Sequence, residues 1–123
     1  MEQKLNWDAL PIFTRAYIGA ALMLSEAVTH ELFCDLPLET QQRMVKECEA
    51  FMQANKTDLD SYPEGDEQAG IDFWLTQNHH GAGYWELDNE AGERLTAAAH
   101  AVGERDLYAG DDGLLYISPP ILS

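Results

Sequence analysis

Positive charge is what this sequence has least of. Seven Lys and Arg stand against 22 Asp and Glu over 123 residues, a formal net charge of −15. Without a basic patch to release counterions from phosphates, the chain is excluded as a direct binder of DNA or RNA, and anionic membranes repel it too. Cysteine is scarce as well. Cys34 and Cys48 make no disulfide framework, so a reducing, cytoplasmic compartment is expected. No apolar run approaches the ~20 residues of a membrane span. The opening Met-Glu-Gln-Lys lacks the basic-then-apolar pattern of a signal peptide. His-x-x-x-His, Cys-x-x-Cys and Gly-x-Ser-x-Gly are all missing. No metal, cofactor or catalytic residue is therefore assigned, and binding is the stronger expectation than enzymatic turnover.

What is present reads as one acidic α+β domain over residues 1–123, with about four helices and a small antiparallel sheet. Leu10, Phe13, Tyr17, Ala20, Ala21, Leu24 and Val28 recur at steps of three and four, which predicts a helix over 8–28 with Asp8 as its cap. A midpoint glycine, Gly19, suggests a closely packed neighbour there. A second helix begins at Pro37 or Leu38 and ends near Asn55. Met44, Val45, Cys48, Phe51 and Met52 form its inner stripe, while Gln41, Arg43, Lys46, Glu47 and Glu49 face water. Residues 56–65 read as a polar connector. A third helix, capped by Asp66, carries Ile71, Trp74 and Leu75 inward until about Thr76. Tyr84 to Leu87 reads as a short strand, and a fourth helix opens at Asp88–Glu90 with Ala91, Leu95, Ala98 and Val102 on one face. Leu107–Ala109 and Leu114–Ile117 flank Gly110-Asp111-Asp112-Gly113, the signature of a C-terminal hairpin.

The densest stretch is residues 72–86, with two of the three tryptophans and two of the four histidines beside a Gly81-Ala82-Gly83 bend. Adjacent histidines diverge in any regular structure, so only one of His79 and His80 can serve a given site. A small-ligand or metal site at this bend, made of Asn78, His80, Trp85 and Glu86, is one functional reading, with or without catalysis. The acidic excess supports another. Residues 63–123 hold 12 acids and two bases, against ten and five in residues 1–62. Glu64, Asp66, Glu67, Glu86, Asp88, Glu90, Glu93, Glu104, Asp106, Asp111 and Asp112 are the candidate contacts to a cationic protein surface.

Three stretches carry a resemblance. Phe13-Thr14-Arg15-Ala16-Tyr17-Ile18, Asp72-Phe73-Trp74-Leu75-Thr76 through Gly81-Ala82-Gly83-Tyr84-Trp85, and Asp106-Leu107-Tyr108 with Gly110-Asp111-Asp112-Gly113 are similar to a family of small acidic proteins of tailed bacteriophages. That family's central motif reads Asp-Phe-Trp-Leu-Thr-Arg-Asn-x-His-Gly-x-Gly-Phe-Trp-Asp. This chain has Gln77 in place of Arg, with Tyr84 and Glu86 as conservative exchanges. The resemblance implies a setting, the cytoplasm of an infected bacterium, and no mechanism. In that setting the carboxylates can stand where phosphates would lie and block a nucleic-acid-handling host defence system, a restriction or CRISPR complex. A third reading is an accessory protein that forms a homodimer through exposed aromatics.

Overall fold

The computed structural model describes residues 5–24, 36–79, 82–109 and 114–118. A 3-10 turn (Trp7–Ala9) leads into helix α1 (Ile12–Leu24). Asp8 does not cap α1, which starts four residues later; it lies inside the preceding turn, whose cap Asn6 accepts from the Asp8 amide at 3.2 Å. Helices α2 (Leu38–Ala54), α3 (Lys56–Asp60), α4 (Gly65–Gln77) and α5 (Glu90–Val102) follow, with a second 3-10 turn (Tyr84–Leu87) before α5. Strands β1 (Asp106–Ala109) and β2 (Leu115–Ser118) pair antiparallel, with Leu107 opposite Ile117 and Tyr108 opposite Tyr116. The architecture is α+β, mostly helical, with one small sheet. Val28, Cys34, His80 and the Asp111-Asp112 turn lie outside the described residues. Among those described, no helix is long and apolar enough to cross a membrane.

Helix α4 is the hub. Ala69, Gly70, Asp72, Phe73, Trp74, Thr76 and Gln77 are all buried, so the helix is covered nearly all round instead of along the Ile71, Trp74, Leu75 stripe. α1, α3, α5 and the second 3-10 turn all pack on it. Gly70 permits the closest approach, because a Cβ there would collide with the Phe13 backbone carbonyl of α1. Gly19, by contrast, has open space around its missing Cβ, so no neighbour explains it. The interior is an aromatic pile. The Phe51 and Phe73 rings stack with centroids 4.0 Å apart, and Tyr17 meets Phe73 at 4.8 Å and the Trp74 edge at 5.4 Å.

Three further expectations change at the local level. The segment Lys56–Asp60 is a helical turn, not a connector. Tyr84–Leu87 is a 3-10 turn, not a strand, because its amides find partners without a neighbouring strand. The Tyr84 amide donates to Thr76 Oγ1 at 2.9 Å, and the Glu86 amide donates to the Gly83 carbonyl at 3.1 Å. Asp88, at φ 52°, ends the turn in the left-handed region. Asn89 then caps α5, accepting from the Gly92 amide at 2.8 Å. Helix α4 begins at Gly65 with no side-chain cap, so Asp66 belongs to its first turn.

Candidate functional site

The acids of the second half fall into two groups. Glu64, Asp66 and Glu67 open α4, while Glu86, Asp88, Glu90 and Glu93 lie on the 3-10 turn and the start of α5; all seven are exposed. One member of each group, Glu64 and Glu86, acts on Tyr62. Its ring packs edge-on against Tyr84 at 5.6 Å. Burial raises the Tyr62 phenol far above its usual range, and the carboxylates of Asp72, Glu64 and Glu86 push it further. Tyr62 donates a short hydrogen bond to the buried Asp72, which also accepts from Gln68 at 2.9 Å.

Helix α3 adds Asp58 and Asp60 to this end, two acids missed by counting only the second half. Arg94 of α5 grips Asp58 with two bonds, at 2.7 and 2.9 Å, and approaches Glu90 at 4.0 Å. The Arg94 hydrogen bond holds the Asp58 carboxyl below its ordinary value. Between Lys56 and Arg94 stand ten acids and two bases, a net of −8 from 39 residues of the chain's −15. Glu104 and Asp106 do not join them. They follow the far end of α5, roughly 20 Å away at 1.5 Å per helical residue. Asp111 and Asp112 lie outside the described residues.

Of the bend residues, Asn78 and Glu86 make structural hydrogen bonds, and His80 lies outside the described residues. Asn78 donates to the Trp74 carbonyl at 3.0 Å and accepts the Arg105 amide at 2.8 Å, tying the end of α4 to the start of β1. Glu86 folds back onto the Gly83 amide at 3.2 Å, and Trp85 is half exposed. His79, at φ 57°, stacks on His100 at 4.3 Å and points Nε2 toward Glu104 at 3.9 Å. Among the described residues no group of three or more His, Cys, Asp or Glu side chains could hold a metal.

Sequence reasoning missed a buried polar cluster altogether. Gln41 and Glu47, assigned to the wet face of α2, are both buried. Gln41 donates to the Leu36 carbonyl at 2.9 Å and accepts the Leu5 amide at 3.1 Å. Glu47 pairs with Arg105 at 2.9 Å, with side chains 5% and 11% exposed. Behind the pair, the Tyr17 hydroxyl sits 2.7 Å from Gln77 Oε1 and 3.0 Å from Glu47 Oε2, so its single proton has two acceptors. Gln77 Nε2 also donates to Glu47 at 3.2 Å. Burial first, and the Glu47 charge second, push the Tyr17 phenol well up, so it acts as a neutral donor. Gln77 therefore sits against a buried carboxylate. The only sequence signal was an acid and an arginine 58 positions apart, which no local pattern connects. No protein family, curated protein or solved structure compared with this chain matches it.

Proposed function

We propose that this protein is a binding protein whose acidic end docks on a cationic protein surface that ordinarily holds nucleic acid. The supporting observation is convergence. Glu64 of the α4 start and Glu86 of the 3-10 turn both act on Tyr62, and Asp58 of α3 and Glu90 of α5 meet at Arg94, so acids from four elements share one end of the fold. Spaced carboxylates on a rigid helical end offer Lys and Arg what a phosphate backbone offers, with rapid, salt-sensitive association. The resemblance to acidic phage proteins makes a host restriction or CRISPR complex the natural target.

The test pairs two neutralised variants. One replaces Glu64, Glu86, Asp88 and Glu90 with their amides; the other replaces Glu104, Asp106, Glu39 and Glu49. The wild-type chain, immobilised at low salt, should retain a basic nucleic-acid-binding protein from bacterial lysate and release it to duplex DNA or high salt. The first variant should lose that protein and the second keep it. Equal behaviour of the two variants, or a retained partner indifferent to DNA, defeats the reading.

A further inference from the structure

Among the described residues, positive charge collects at a place that the acidic end leaves unused. Three of the chain's seven basic residues, Arg43, Lys46 and Arg105, line a single groove of about 880 Å³ between α2 and α5. The groove exists because α2 packs on α1 and β2, whereas α5 packs on α4 and the second 3-10 turn. Small side chains keep it open: Ala50 and Ala54 on α2 face Ala98 and Ala101 on α5. A volume of this size matches pockets that take drug-sized molecules.

Its chemistry is segregated along its length. The Glu47–Arg105 and Asp58–Arg94 pairs together set α2 and α5 running in opposite directions, so Arg43 and Lys46 lie at the Arg105 end. Ala50, Phe51, Ala54 and Ala98 form the other end. Arg43 is engaged by Glu39 at 2.9 Å and Arg105 by Glu47, while Lys46 has no ion pair among the described residues. Arg105 Nε is buried with no hydrogen-bond partner. Glu39 and Glu47 also line the mouth and each holds one arginine, so Lys46 leaves it with a single net positive charge where it opens onto an apolar channel. From Lys46 to Ala54 the channel runs ~12 Å along the helix.

We propose that the α2–α5 groove binds a small amphiphilic anion, with its carboxylate or phosphate head at Lys46 and Arg105 and its alkyl or aryl body along the alanines. An anionic head complements the mouth, and a body of the same length removes the apolar walls from water. A second copy of this chain is a poorer occupant, because two bodies of −15 repel. This inference stands independently of the acidic end.

Decanoate is the probe and decylamine its control, both below their micelle concentrations, measured by titration calorimetry with the full chain. Decanoate should bind once per chain, and decylamine, with the same tail and the opposite head, should not. Lys46→Glu should weaken decanoate roughly tenfold, the scale of one reversed charge contact in a wet site. Ala101→Leu, which fills the channel from an exposed helical position, should abolish it with the thermal midpoint unchanged. Equal binding of both amphiphiles, no binding of either, or variants that bind like the wild type would each overturn the proposal. So would light scattering that shows a dimer dissolved by Ala101→Leu, since the groove would then hold a second chain.

Discussion

Replacing Arg105 with methionine tests the buried cluster most directly. It leaves the Glu47 carboxylate, 5% exposed, with only the Tyr17 hydroxyl and the Gln77 amide as partners. Removing one member of a buried pair costs ~3–5 kcal/mol, against ~0–1 kcal/mol for an exposed pair. An unfolding entropy of about 2.1 cal/mol/K per residue converts that, over 123 residues, into a Tm lower by about 12–20 °C. Glu47→Leu should cost less. Arg105 lines the groove and can turn its guanidinium to water, and Tyr17 keeps its 2.7 Å bond to Gln77. The double variant, with both charges gone, should recover most of the loss, so the cycle carries a coupling of ~2 kcal/mol or more. Urea unfolding followed by circular dichroism supplies all four stabilities. An Arg105→Met cost below ~1 kcal/mol with no coupling would mean that the pair behaves as a surface contact and that the buried-charge reasoning fails.

Alkaline pH should unfold the protein cooperatively. Burial chiefly raises the Cys48 thiol and the Tyr17, Tyr62 and Tyr84 phenols in the fold. Their stabilising contribution is thus whole below the unfolded-state pKa values, about 8.5 for Cys and 10 for Tyr, and drains away as pH rises past them. Stopped titration should show most tyrosinate absorbance appearing together with the loss of helical circular dichroism; ionisation of these phenols in a still-folded chain would contradict it. Gly70→Ala, which drives a methyl into the Phe13 carbonyl, should destabilise by ~1–3 kcal/mol, whereas Gly19→Ala, with open space around it, should stabilise by ~0.5–1 kcal/mol. Chemical denaturation of both variants checks the opposite signs. In a Cys34→Ser background, Cys48 should resist a thiol reagent in the native state and react only at the unfolding rate.

Local physics carried much of the fold. The three-four spacing of Phe13, Tyr17, Ala20 and Ala21, the Asn89 cap and the hairpin alternation around Leu107 and Ile117 each depend on neighbours within one turn or strand. The −15 charge and the excess of acids over residues 63–123 were likewise visible as letters. Tertiary structure decided what those letters face. Glu47 and Gln77 became interior because Tyr17 and Arg105 arrive from distant segments to satisfy them. Tyr84–Leu87 became a 3-10 turn because Thr76 of α4 accepts its first amide. Arg43, Lys46 and Arg105 came to share one groove mouth because α2 and α5, tied by Glu47–Arg105 and Asp58–Arg94, run in opposite directions across a gap. Periodicity reports the environment of a residue averaged over its own helix, and a buried charge is tolerated only where a partner from elsewhere in the chain meets it, so that pairing is written in three dimensions alone.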